Sequence, residues 1–483
     1  MIPAFVRKAI PRTKASNHNH HRQALSAERT SAGRTAIQQE QHMTDVNTIY
    51  PEFITLEESL SLDSRRVEEL QLRHMNQYRT QIGLSAGLTF DIVKAEGCHM
   101  WDSEGNERLD FIGCVGVYIL GHNNPFVLDG VRRYLESKAL TMDPMALKPV
   151  TAAFAHNMAL ITPELTRTVL NGGGGAEANE VILKMCRIAA ARTKTGRTRV
   201  ISTLNSFHGK TTGAVNAGGK DVWRRWQTPV PGHAYVPYGD ADAVEEEFKK
   251  GDVIMFIAEP IQGEGGIVVP ADDYFYRVRE LCDRYDVYMV LDEVQAGSCR
   301  TGYVWAHQYY EGLVPDAFTF AKGISDGVLP VSGVQVKEEL YMAAYGSFDS
   351  AMMHTATYQD NNISAAVALS SLQFMIEEDV AAKVRERSGY VWEGLERIRS
   401  KHPTVLKEIR GRGYMIGLKF GSDEQGTGYA NAIGTVLAQK HRVHTMTSIN
   451  DDTILRVYPN ITTTQEDFDW FLGALEQSIA EVA

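Results

Sequence analysis

Three short segments of the 483-residue sequence set chemically capable side chains directly after an apolar run. They read Ala258-Glu-Pro-Ile-Gln-Gly-Glu-Gly-Gly266, Leu291-Asp-Glu-Val-Gln-Ala-Gly297 and Phe320-Ala-Lys-Gly-Ile-Ser-Asp-Gly327. Lys322, flanked by small residues, suits an amine that forms a Schiff base with a carbonyl. Asp292 suits the partner of a protonated pyridine nitrogen. An acid and a lysine at neighbouring strand ends also suit a plain salt bridge, the commoner case in an arbitrary α/β protein. Residue types alone leave both readings open.

Such placement calls for an open parallel sheet, whose functional residues gather just past the carboxyl ends of its strands. The apolar runs 253–258, 287–291 and 317–321 are short, largely continuous and one helical segment apart, the pattern of strands buried on both faces. A helix is predicted over about 177–192, with Val181, Met185, Ile188 and Arg192 along one face. Upstream, a charged helical pattern runs over 56–73, and 90–93, 98–101 and 108–111 read as short strands. From about residue 366 smaller units return: a helix, a strand over 414–420, a helix near 429–440, a strand over 454–458 and a last helix. These features predict a leader over 1–44 and a large α/β domain over 111–365. A smaller α+β domain is drawn from both chain ends, 45–110 and 366–483.

Apolar residues at 43% and charged residues at 23% match an ordinary soluble globular chain. The net charge of −11 argues against a nucleic-acid binder, so Trp223-Arg-Arg-Trp226 reads as a loop at the rim of a site. No apolar stretch approaches the roughly 20 residues that span a bilayer. The five cysteines are scattered and never form a C-x-x-C pair, which argues against disulfides and against a zinc site; no metal is expected. The first 42 residues hold seven basic and two acidic side chains, as a transit peptide does. A disordered leader, or a working start at Met43, explains them at least as well. A cytoplasmic location is the expectation, a mitochondrial one if the leader is a transit peptide.

With Arg108-Leu-Asp-Phe-Ile112, Gly121-His-Asn-Asn-Pro125, Ser206-Phe-His-Gly-Lys210, Arg300-Thr-Gly302 and His354-Thr-Ala-Thr-Tyr358, the three segments fall in a familiar order. From about residue 85 onward the chain resembles the class III aminotransferases, the ornithine, 4-aminobutyrate and putrescine type of pyridoxal-phosphate enzyme, and is most similar to the putrescine type. The resemblance implies the fold type I architecture, with a mostly parallel seven-stranded sheet. It makes Lys322 the Schiff-base lysine and proton carrier, and Asp292 the partner of the pyridine nitrogen. Phe207 would stack on the cofactor ring, and Gln295 would lie near its phenolic oxygen. His208 would shape the loop beside it by packing, not act as an acid or base. Gly174, Gly175 and Ala176 would hold the phosphate. Thr357 would reach the phosphate of a neighbouring subunit, which implies a homodimer or tetramer with shared sites. Arg456 would take a substrate carboxylate, with Glu264 as its partner when an amine must be admitted, and Tyr118 would belong to the apolar wall 115–118.

Two departures stand out. Where the family has Asn-Ser-Gly-Thr-Glu or Gly-Ser-Glu, this chain has Asn171-Gly-Gly-Gly-Gly-Ala-Glu177, so both hydroxyls are missing. Backbone N–H groups at the helix start can still meet an anion, and weakened cofactor binding is the expectation. Asp360, in Gln359-Asp-Asn-Asn362, brings a negative charge where the family has Gly-Gly-Asn-Pro.

The expected function is transfer of an amino group from a terminal primary amine, in a diamine or an ω-amino acid, to a 2-oxo acid. Neither nucleic acid nor membrane is an expected partner. Two alternatives stay open: an aminomutase or decarboxylase of the same fold, and a cofactor-poor scaffold relative.

Overall fold

A computed structural model describes residues 50, 52–85, 87–193 and 196–483. The leader and its start therefore lie outside the described residues. The chain divides into two compact units, Met1–Glu69 and Leu70–Ala483. The pattern over 56–73 becomes two helices, not one. Leu56–Ser59 is closed by a capping box between Thr55 and Glu58, and Ser64–His74 starts after a break at 60–63.

Most of the second unit is organised by a seven-stranded sheet. Its strands are β4 (Arg167–Asn171), β5 (Arg199–Thr203), β6 (His233–Val236), β7 (Val253–Ala258), β8 (Tyr288–Asp292), β9 (Ala317–Phe320) and β10 (Ser332–Val336). The spatial order is β4-β10-β9-β8-β7-β5-β6. Only β10 runs against the rest, pairing antiparallel with both β9 and β4. The carboxyl ends of β4, β5, β7, β8 and β9 thus share one edge. Every residue of β7 and β9 is buried, as continuous apolar runs require. The helix Gly175–Thr193 packs across β7, β9 and β10 through Val181, Ile182 and Met185.

The chain ends build two smaller sheets. In one, β1 (Ile92–Glu96), β2 (His99–Asp102) and β3 (Glu107–Asp110) form a meander, and β13 (Val443–His444) joins β3 in parallel. In the other, β11 (Leu406–Arg412), β12 (Met415–Phe420), β15 (Ile454–Val457) and β14 (Met446–Thr447) lie side by side in that order. This is the α/β architecture of the fold type I enzymes, a large mixed sheet with smaller units from both chain ends. Among the described residues no helix is long and apolar enough to cross a membrane.

Candidate active site

Past the shared edge lies a cavity of about 250 Å³, lined by Gly174–Glu177, Asn179, Phe207–Gly209, Glu259, Glu264, Asp292, Val294, Gln295 and Lys322. The sheet explains this convergence: β8 ends on Asp292, β7 delivers Glu259 and β9 delivers Lys322. Lys322 opens a tight turn, its carbonyl accepting the Ser325 N–H, and itself holds φ +49°. A lysine in the left-handed region costs about 1–3 kcal/mol and persists only where surrounding packing demands it. Burial pushes its ammonium below the usual lysine range, Glu264 opposing and Arg456 adding to the drop.

Asp292 is buried and held on three sides. Its Oδ2 accepts from Asn179 Nδ2 at 2.8 Å and lies 2.7 Å from His208 Nδ1, while Oδ1 accepts the Val294 N–H at 3.0 Å. Burial works to protonate the carboxyl, but the bonds from His208 and Asn179 prevail and hold it below the usual carboxylate range. His208 is correspondingly raised, its bond to Asp292 outweighing burial. Besides the packing and loop shaping expected of it, His208 is the direct hydrogen-bonding partner of the aspartate. Its Nε2 is buried and unpartnered beside the cavity.

Sequence reasoning missed Asn179 and Glu259. Asn179 sits one turn into the helix Gly175–Thr193 and also accepts from Thr319 Oγ1 at 3.1 Å. Glu259 accepts the N–H groups of Phe207 at 3.0 Å and Gly263 at 2.9 Å. Burial pushes its carboxyl up to about 7, with His208 pulling down and Asp292 adding to the rise. Asp326, at the end of the lysine turn, accepts the Leu120 N–H at 3.0 Å, and burial pushes it to about 8.

Glu264 and Arg456 form a buried ion pair, and Arg456 Nη2 also donates to the Thr447 carbonyl at 3.1 Å. Burial would raise Glu264, yet Arg456 and Lys322 keep it below its ordinary range. Glu264 faces the cavity and Arg456 stands behind it. Gln295 Oε1 accepts from Tyr458 Oη at 2.9 Å, and its amide donates to the Val115 carbonyl at 3.3 Å.

Two expected residues fall elsewhere. Tyr118 is not among the lining residues; its ring stacks on His122, 3.9 Å between centroids. Thr357 is exposed and does not line the cavity of its own chain. Asp360 lies 3.9 Å from Lys148, near β4. Trp223 does reach the rim, donating to Asn450 Oδ1 at 2.9 Å, while Asn450 N–H donates to the Glu264 carbonyl.

The glycine run forms a cradle at the start of the helix Gly175–Thr193. None of Gly172–Gly175 takes a positive φ. A Cβ on Gly175 would meet Val294 Cγ1 at 2.7 Å, whereas one on Gly174 would meet only Glu177 Oε2, at 3.3 Å. That same oxygen accepts the Gly174 N–H at 2.8 Å, half of a capping box. Free backbone donors at one end, a buried ionised aspartate and a lysine with a lowered pKa suit a phosphorylated pyridine aldehyde.

The aminotransferase class-III family profile matches residues 84–479. The chain belongs to that family. It is 40% identical over 442 residues to an uncharacterized aminotransferase of Schizosaccharomyces pombe, covering 89% of this chain and 90% of the relative. Ornithine aminotransferase from Toxoplasma gondii superposes with a TM-score of 0.79 at 26% identity, over 91% of this chain and 99% of that one. An amine transaminase from an uncultivated Pseudomonas species gives 0.74 at 26% identity, over 82% and 95%. This class-III aminotransferase uses pyridoxal phosphate and exchanges amino groups between small amines and 2-oxo acids.

Proposed function

We propose that the amino donor is a terminal primary amine, a diamine of the putrescine kind or an ω-amino acid, and that a 2-oxo acid such as pyruvate or 2-oxoglutarate accepts the nitrogen. The lining charge carries this reading. Glu264 faces the cavity, kept ionised by Arg456 and Lys322, and offers its carboxylate to a second, cationic group of the donor. Such a cavity favours a donor that is itself cationic and lacks a carboxylate beside the reacting nitrogen. The relatives named for ornithine and for amines point the same way.

Gly175 and Ala176 would hold the phosphate through backbone N–H groups, joined by Gly174 once its N–H leaves Glu177 Oε2, while Phe207 would cover the ring and Gln295 would lie near the phenolic oxygen. When bound, pyridoxal phosphate supplies an electron sink for the carbon that bears the nitrogen. Asp292, kept ionised by His208 and Asn179, favours a proton on the pyridine nitrogen. Lys322 Nζ, readily neutral because of burial, takes the proton from the substrate carbon and returns it. Arg456, released from Glu264, would receive the carboxylate of the 2-oxo acid. Tyr118 would line the outer pocket.

A homodimer or tetramer completes the reading, with Thr357 reaching the site of a neighbouring copy. Support comes from the apolar surface around it: Met145, Leu147, Phe348, Met352 and Tyr358 are all more than half exposed. The cytoplasm is the proposed location, the mitochondrion if residues 1–42 act as a transit peptide.

A panel of diamines, ω-amino acids and α-amino acids, each paired with pyruvate or 2-oxoglutarate and read by loss of the oxo acid, tests the proposal. Turnover confined to α-amino acids would overturn it.

A further inference from the structure

Outside the cavity lining, the fold brings the adjacent Cys98 and His99 against Asp467, which lies 369 positions after Cys98 in sequence. Cys98 and His99 lead into β2, and Asp467 sits in the first turn of the last helix, Gln465–Val482. We propose that Cys98, His99 and Asp467 bind a divalent transition-metal ion of the zinc class, with Glu107 orienting the imidazole.

The geometry carries the proposal. The three candidate ligand atoms all lie within 4.8 Å of one another. Around a tetrahedral zinc ion, with ligands at about 2.0–2.3 Å, neighbouring ligand atoms are roughly 3.3–3.6 Å apart. His99 Nε2 already stands 3.3 Å from Asp467 Oδ1, and Cys98 Sγ, 3.4 Å from the other oxygen Oδ2, has to turn from Oδ2 toward the ion.

A second-shell carboxylate stands close by. Glu107 Oε1 lies 3.1 Å from His99 Nδ1 without a hydrogen bond, and a small turn of the ring on metal binding would let the carboxylate orient it. Asp467 Oδ2 is anchored by the Thr464 N–H and hydroxyl, each at 2.8 Å, which leaves Oδ1 free to ligate. Cys98 and Asp467 are buried while His99 is partly exposed, so a metal has a route in and water can take a fourth position.

A metal takes a thiolate and a neutral imidazole as ligands, so binding releases protons and tightens as pH rises. The scattered cysteines gave no hint of this, because two of the three ligands are not cysteine and the last helix supplies one of them.

The test uses full-length, tag-free holoenzyme stripped with a chelator and titrated with Zn²⁺ against a chromophoric chelator. His18, His20 and His21 of the leader could also take zinc, so the deciding quantity is a difference between variants. Wild type is expected to bind one equivalent more than Cys98→Ser, and zinc should raise the melting temperature of wild type alone. Glu107→Gln should weaken this extra equivalent about 10–100-fold. If Cys98→Ser fails to fold, His99→Gln, at a partly exposed position, replaces it in the comparison. Equal stoichiometry in wild type and the folded variant, or a wild-type melting temperature that zinc leaves unmoved, overturns the proposal.

Discussion

The roles proposed for Lys322 and Asp292 differ, and their substitutions should fail differently. If Lys322 carries the proton as proposed, Lys322→Ala should lower turnover by at least about 10²–10⁴. The borohydride-reducible visible absorption of the wild type should vanish with it. Asp292→Asn keeps the hydrogen-bonding shape toward Asn179 but cannot hold a pyridinium proton. Cofactor should stay bound while activity drops at least about a hundredfold, and unchanged turnover would make the aspartate structural. At the cradle, Gly174 has room for a side chain, so Gly174→Ser should add one hydrogen bond to the phosphate. A bond to a charged group contributes about 1.5–3 kcal/mol, tenfold or more in the dissociation constant, measured by titrating the stripped protein. Gly175→Ala should do the reverse, because Val294 stands in the way. Lys322 and Asp292 stood out because each directly follows an apolar run, and Glu264 through the resemblance of its segment. Glu259 also follows such a run, but its hydrogen bonds, like those of Asn179 and His208, come from contacts between separate elements that no local pattern shows.

The strands of the large sheet carry both its stability and its pH response. Phe256 is fully buried in the middle of β7, and Phe256→Ala should cost about 3–5 kcal/mol in denaturant unfolding. Glu259, just past that strand, keeps a proton in the folded protein up to about pH 7, whereas the unfolded chain gives it up above 4.5. Its contribution to stability is therefore full below about 4.5 and lost as pH rises toward 7. In the cofactor-free protein Glu259→Gln should flatten that part of the melting-temperature profile; an unchanged slope would assign it to other groups. The strands at 253–258, 288–292 and 317–320 were readable as apolar runs, but β4, β5, β6, β10 and β11 escaped. Their polar residues are satisfied inside the fold: Gln335 of β10 donates to Thr162 Oγ1 at 3.2 Å and accepts from Thr168 Oγ1 at 2.6 Å. In β5, Ser202 donates to the Ala217 carbonyl at 2.5 Å. A strand that meets its hydrogen-bonding needs sideways has no reason to look apolar.

For the molecule as a whole, the exposed apolar surface around Thr357 is the first test of assembly. Met352→Glu should shift sedimentation toward the monomer and reduce activity with it; a monodisperse dimer that tolerates this change would place the contact elsewhere. The two-ended organisation was legible because strand-sized patterns recur at both ends of the chain, yet the pairing of β3 with β13 was not, since no local pattern encodes so distant a partner. That pairing has a consequence for biosynthesis. Arg108 donates to the Ala438 carbonyl, 330 positions later, and the meander β1–β3 finds its fourth strand only when residues 443–444 have been made. At about 5–20 residues per second, the nascent chain carries an unpaired β3 edge for tens of seconds. Throughout that interval the edge is open to the wrong neighbour, and the ribosome-bound intermediate is where a chaperone would be needed most.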